Sequence, residues 1–279
     1  MAIALATKFA PYVDEVFTQE SKISLLTNND FTFDGAEKVV LYKVNTSAMN
    51  DYGRHGTDGG NWSRYGAIED LDVTTEGASL TQDRSFTFVI DKLDSEQTLG
   101  QLDGASALAR QCREVVIPEV DAYAYNKMCT GAGHKPEAVK LTATNIYDEI
   151  IKASAALDNA LVPESGRVLT VTPDVYLLMK KCKDIVLDTQ IGSDMRVKGI
   201  IANLDGCTVL KVAAARLPEN FGFMMSHKSG CCAPVHLKDY KIHSDPPGIS
   251  GQLIEGRIVY DAYVFENKAK AIYYQTVTA

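Results

Sequence analysis

Three features of the 279-residue sequence predict an α+β fold. Two runs that alternate with strand periodicity, EKVVLYKV near 37–44 and RSFTFVID at 84–91, bracket a long excursion rich in Gly, Asp, Ser and Thr. A helical pattern then runs from about 95 to 130. From 139 onward helices and strands alternate before the sequence returns to strand.

Residues 7–27 read as an N-terminal arm, helical or partly extended. Phe9, Val13, Val16 and Phe17 recur at helical spacing, followed by Ile23, Leu25 and Leu26. The strand at 37–44 takes 84–91 as its expected partner. The connection between them, 46–83, is far longer than compact domains usually tolerate without a purpose. After Asp94, SEQTLGQLDGASALARQCREVVIP predicts one helix weakened by Gly100 and Gly104, and IPEVDAYAYNKMC a second. Pro118 suits a first helical position, and Glu119 and Asp121 complement the positive end of the helix dipole.

Asn145 or Thr144 is placed to cap a helix whose inner side carries Ile146, Ile150, Ala153 and Leu157. Gly166 closes a turn into the strand RVLTVT, and Thr172-Pro173-Asp174 caps and starts the helix VYLLMKKC. Short strands are expected near 207–212 and 221–226. VHLKDYKI adds another, and RIVYDAYVF and KAIYYQ are expected to form a hairpin across Glu266-Asn267-Lys268. No internal repeat is visible.

The totals exclude several functions. A net charge of −8 and a pI near 5.2 argue against a wide nucleic-acid grip, which needs clustered Lys and Arg. No apolar run approaches the roughly 20 residues that span a bilayer. The start MAIALATKFAPYVDE has no basic segment before its apolar run, so no signal peptide is read. The six cysteines form no CxxC pair, and their scatter suggests reduced thiols in a cytosol.

NDYGRHGTDGGNWSRYG, 50–66, concentrates five glycines and the only tryptophan. It lacks the spacing and the lysine of a phosphate-binding loop, and also the GxGxxG of a dinucleotide fold. Arg54, Arg64, Tyr52, Trp62 and Tyr65 mix charge with stacking surface. Asp51 and Asp58 nevertheless cancel both arginines, and 67–83 is acidic throughout. Trp, Tyr and Arg are the types enriched where proteins meet, so the stretch reads as a protein-contact tip. His227, Cys231, Cys232 and His236 are types that zinc accepts, but their spacing fits no common site, and a turn with two buried thiols explains them. Asp91, Asp94 and Glu96 lie at a strand-to-helix junction, where Asp94 or Ser95 acting as a cap suffices. No GxSxG elbow or triad pattern is present, and no catalytic, cofactor or metal site is expected.

Taken together in this order, RSFTFVIDKLDSEQTLG (84–100), VIPEVDAYAYNKM (116–128), GRVLTVTPDVYLLMK (166–180) and EGRIVYDAYVFENKAKAIYY (255–274) resemble the major capsid proteins of tailed bacteriophages, the Hong Kong 97-type fold. The resemblance covers nearly the whole chain. It implies an N-arm at 1–32 and an extended E-loop at 33–90. A peripheral domain with its spine helix would span 91–137 and an axial domain 138–235, with return strands at 236–279. It further implies a non-enzymatic protein that self-assembles from hexamers and pentamers into an icosahedral shell. That shell would enclose DNA without reading its sequence and would be built in the host cytoplasm, without a membrane. A scaffolding protein, a portal and decoration proteins are the implied partners. Since the sequence begins almost at the arm, a separate scaffold or prior removal of a segment is expected. The inter-subunit contact residues expected are Tyr52, Arg54, Trp62, Arg64 and Tyr65 on the E-loop and Phe9 and Phe17 on the arm. Two alternatives stay open: an encapsulin-type nanocompartment, and an α/β enzyme or binding module built on 138–235.

Overall fold

The computed structural model describes residues 21–28, 38–55, 63–98, 103–187 and 203–278. The chain divides into two compact units, Gly35–Ser79 and the remainder.

In the larger unit a five-stranded sheet is covered on both faces. Its strands are β4 (Arg167–Val171), β5 (Asn203–Leu204), β6 (Cys207–Lys211), β7 (Phe221–His227) and β10 (Ile272–Thr276), in the order β10-β7-β4-β6-β5. Only the β4–β6 pair is parallel. Burial on both sides explains why RVLTV and FGFMMS are nearly unbroken apolar runs without strand alternation. Leu169, Val171, Phe223, Met225 and Tyr273 face α4 (Ile146–Asn159) and α5 (Pro173–Lys181), which supply Ile146, Ile150, Ala153, Leu157, Val175 and Met179. Val168, Phe221, Met224, Ile272 and Tyr274 face α3 (Ile117–Gly131), with Ala124, Tyr125, Met128 and Cys129, and also Leu26. The Thr172 hydroxyl accepts from the Val175 N–H at the start of α5 and Pro173 occupies its first turn, as the sequence predicts. Asn145 stands at the N-cap of α4, but its side chain accepts instead from the Thr142 N–H at 2.7 Å.

A second sheet has the order β3-β9-β8: β3 (Gln82–Asp91), β9 (Gly251–Tyr260) and β8 (Val235–Ser244), all antiparallel. One face alternates inward with Phe86, Phe88, Ile90, Ile254, Ile258 and Tyr260. The other carries charge, including the Arg257–Asp83 and Lys241–Asp239 pairs. At Gly256 the Phe86 and Tyr240 rings close over a position that has no side chain, and an added Cβ would lie 2.3 Å from Phe86.

Four expectations are corrected. Strand 84–91 pairs with β9, while the partner of β1 (Lys38–Val44) is β2 (Val73–Ser79). KAIYYQ does not pair with RIVYDAYVF. β10 joins β7 in the five-stranded sheet, the hairpin is formed by β8 with β9, and 266–269 make the short helix α7 (Glu266–Ala269). The two helices read on either side of Pro118 form one uninterrupted helical stretch. It consists of α2 (Gly104–Gln111), a π-helical turn at Cys112–Val116, and α3, after a separate α1 (Lys92–Gln97). The cap of α1 is Asp91, whose Oδ1 accepts from the Leu93 N–H at 2.8 Å, and not Asp94 or Ser95. A further helix, α6 (Lys183–Leu187), follows α5.

Candidate inter-subunit contact surface

The smaller unit has the means to form a ribbon but not a core of its own. β1 and β2 pair from Lys38↔Ser79 to Val44↔Val73, and the Asn45 N–H extends the ladder to the Asp72 carbonyl. Strand alternation puts Val40, Tyr42, Val44, Val73 and Thr75 on one face. Tyr42 is 75% exposed and Val44 57%. Beyond the strands Met49, Ile68 and Leu71 are exposed as well. The other face holds Val39, Leu41 and a Lys43–Glu76 ion pair at 2.7 Å. An isolated two-stranded ribbon is marginal in water, and one showing this much apolar surface is built to be covered.

The glycine-rich stretch is drawn together at its base. The Gly53 N–H donates to the Arg64 carbonyl at 2.9 Å, and the Tyr52 and Tyr65 rings meet edge to face with centroids 5.0 Å apart. Gly66 follows with φ +98°, and a Cβ there would lie 2.7 Å from the Asn50 side chain, so only glycine fits. Of the residues predicted as contacts, the structure joins Tyr52 with Tyr65 and leaves both exposed, with Arg54 and Arg64 exposed beside them. Trp62, Phe9 and Phe17 lie outside the described residues. The sequence marks 37–44 as a strand, but not that the Val40–Tyr42–Val44 row stays exposed.

Two buried carboxylates, one on α3 and one beside it, hold Ser21 and Thr81. Asp261, fully shielded, accepts from the Thr81 N–H (3.0 Å), the Thr81 hydroxyl (2.7 Å), and the Tyr123, Tyr263 and Ala262 donors. Burial alone would raise the pKa of this carboxyl, but the hydrogen bonds from Thr81, Ala262 and Tyr123 outweigh it and hold the group below the ordinary value. Asp121 accepts from the Ser21 hydroxyl (2.6 Å) and from Arg216 (2.8 Å), itself buried. Here burial prevails and the pKa is raised. Just beyond Ser21, Leu26 is buried and the Asn28 N–H bonds the Cys231 carbonyl.

The remaining chemical candidates are placed structurally. His227 turns to Ser229 and to the Ser165 carbonyl. Cys231 and Cys232 are buried, and burial pushes the Cys231 thiol up to about 12, far from the thiolate that a metal needs. Among the described residues no three His, Cys, Asp or Glu side chains cluster as a metal site would require. None of their helices is long and apolar enough to cross a membrane.

No family model and no curated protein sequence matches the chain. Solved structures match it from end to end. A structure described as Mycobacterium phage Che8 superposes with a TM-score of 0.81 at 17% identity, covering 97% of this chain and 96% of that one. The capsid structure of Cyanophage P-SCSP1u gives 0.78 at 12% identity over 98% and 93%. The mature capsid of bacteriophage PhiM1 gives 0.77 at 13% identity over 99% and 92%. Across nearly its full length, this chain has the fold of phage capsid subunits.

Proposed function

We propose that the protein is the major capsid protein of a tailed phage, self-assembling into an icosahedral shell around the genome. The observation that carries this reading is the end-to-end likeness to phage capsid structures, with almost nothing left over in either chain. The ribbon supports it independently, because an apolar face without a core requires a neighbour, and the most abundant neighbour is another copy. In this reading 1–32 is the N-arm and 33–90 the E-loop, its ribbon being Gly35–Ser79. Residues 91–137 form the peripheral domain with the spine helix, 138–235 the axial domain, and 236–279 the return strands. Tyr52, Arg54, Trp62, Arg64 and Tyr65, with Phe9 and Phe17, contact adjacent subunits. The role is structural and not catalytic. A scaffolding protein, a portal and decoration proteins are the further partners, DNA is enclosed without sequence readout, and assembly takes place in the host cytoplasm.

Negative-stain microscopy of the purified full-length chain tests the reading. Closed, uniform shells are the expected result, and a monomer that stays monomeric with and without a scaffold overturns it.

A further inference from the structure

The helical stretch from Gly104 to Gly131 changes its hydrogen-bond register in the middle. The Cys112 N–H still bonds back to the Leu108 carbonyl, four residues earlier, but the Ile117 N–H bonds to Cys112, five residues earlier. The π turn therefore holds one residue more than an α-helix would, which turns everything before it by about 100° relative to everything after it. Pro118 stands two residues after the last residue of this turn, in the first turn of α3. In a regular α-helix its ring would press on the Glu114 carbonyl and leave that carbonyl without an N–H, whereas the wider π turn makes room.

The two halves are held very differently. α3 is fixed by its buried stripe and by Asp121 and Tyr123, which bind Arg216, Ser21, Asp261 and Thr81. α2 has one buried residue, Gly104, whose N–H donates to the Gln252 Oε1 at 2.7 Å. Alongside the π turn runs a groove of about 190 Å³ lined by Phe86, Val115, Val116, Val120, Ile258 and Tyr260. Val115 and Ile117 remain substantially exposed next to it. Firm anchoring on one side, a light hold on the other, and unfilled space between helix and sheet describe a joint.

We propose that Cys112–Val116 is a rephasing joint: by keeping or expelling its extra residue, it resets α2 against the β3-β9-β8 sheet while α3 and the five-stranded core stay unchanged. This rests on the shell reading, since a closed shell asks identical chains to occupy non-identical positions. The joint confines that difference to a segment with little packing to lose. Pro118 is its positioning residue, biasing the turn toward the wide form.

The test is hydrogen exchange on the full-length chain, free and assembled, followed by two variants. In the wild type, amides 112–117 should exchange about tenfold or more faster than 121–129 and should change protection on assembly. Pro118→Ala, which restores an N–H and removes the ring that disfavours the narrow form, should slow exchange across 112–118 by a similar factor. It should also narrow the range of particle sizes seen by electron microscopy. Deletion of Val115 combined with Pro118→Ala, which makes the stretch a regular helix without an interior proline, should do the same more strongly. Uniform protection from 104 to 131 in the wild type overturns the joint even if the deletion fails to fold. So do unchanged exchange and unchanged particles in Pro118→Ala. Failure of the wild type to make shells would instead sink the shell reading, while fast local exchange at 112–117 would still stand.

Discussion

The Thr81 hydroxyl donates to Asp261 across 2.7 Å, while the Thr81 backbone N–H donates to the same carboxylate oxygen across 3.0 Å. One residue is thereby gripped through both main chain and side chain, two positions after the ribbon ends at Ser79. Tyr123 of α3 closes the arrangement by bonding Asp261 at 2.9 Å.

Replacing Asp261 by Ala should destabilise the protein by about 3 kcal/mol, because several buried donors lose their acceptor together. The pH dependence follows from the lowered pKa. The carboxylate's contribution is present above the ordinary carboxylate range and is lost as pH falls through the depressed folded value. Asp261→Asn should therefore show a flatter acid limb than the wild type in melting temperature between pH 7 and pH 3; parallel curves would contradict this.

Arg216→Met should cost about 3–5 kcal/mol at neutral pH, since it leaves the Asp121 carboxylate buried without its cation. The sign is opposite to that at Asp261. The folded pKa of Asp121 is already raised, and losing Arg216 raises it further. The penalty should thus shrink as pH falls and the carboxyl becomes neutral. Urea unfolding at pH 7 and pH 4.5 checks this, and an equal penalty at both would refute it.

Gly256→Ala should lower stability by about 1–3 kcal/mol, because the new methyl must displace the Phe86 and Tyr240 rings that meet over the glycine. Adding Phe86→Ala should recover part of the loss in a double-mutant cycle, whereas strict additivity would argue against the contact.

Tyr42→Ser combined with Val44→Ser removes apolar surface that is already in water, so thermal unfolding of the free subunit should shift by no more than about 0.5 kcal/mol. Shell yield should nevertheless collapse. Deleting 50–66 should have the same consequence, with a folded monomer and no particles. Intact shells from either variant would remove the ribbon from the list of contacts.

Much of this architecture is legible in the sequence where a local signal suffices. Thr172-Pro173 starts a helix because a hydroxyl acceptor and a fixed φ act within one turn. Pairing is another matter. EKVVLYKV and RSFTFVID share one period, and alternation says which face is inward but not which strand lies alongside. The true partner, VTTEGAS, is small and polar and carries almost no apolar signal. IYYQT is buried on both faces, so it belongs in a sheet covered on both sides, whereas GQLIEGRIVY alternates and suits a sheet covered on one. That difference could have separated β10 from β9. At the candidate contact surface the Tyr and Arg of 50–66 stand out by type. Tyr42 and Val44 do not, because exposure is a property of missing neighbours, which no single strand records.

The position of β10 in the five-stranded sheet also governs when the chain can fold during synthesis. Residues 272–276 supply Ile272, Tyr273 and Tyr274 to both faces of the central layer and bond β7 along its length. Until the ribosome has released them, β7 lacks a partner on one side and α3 has an unfinished surface to pack on. A nascent chain interrupted earlier therefore presents no completed body to its neighbours. A chain that stops short lacks the strand that completes its central sheet, and the core on both faces of that sheet stays open to water.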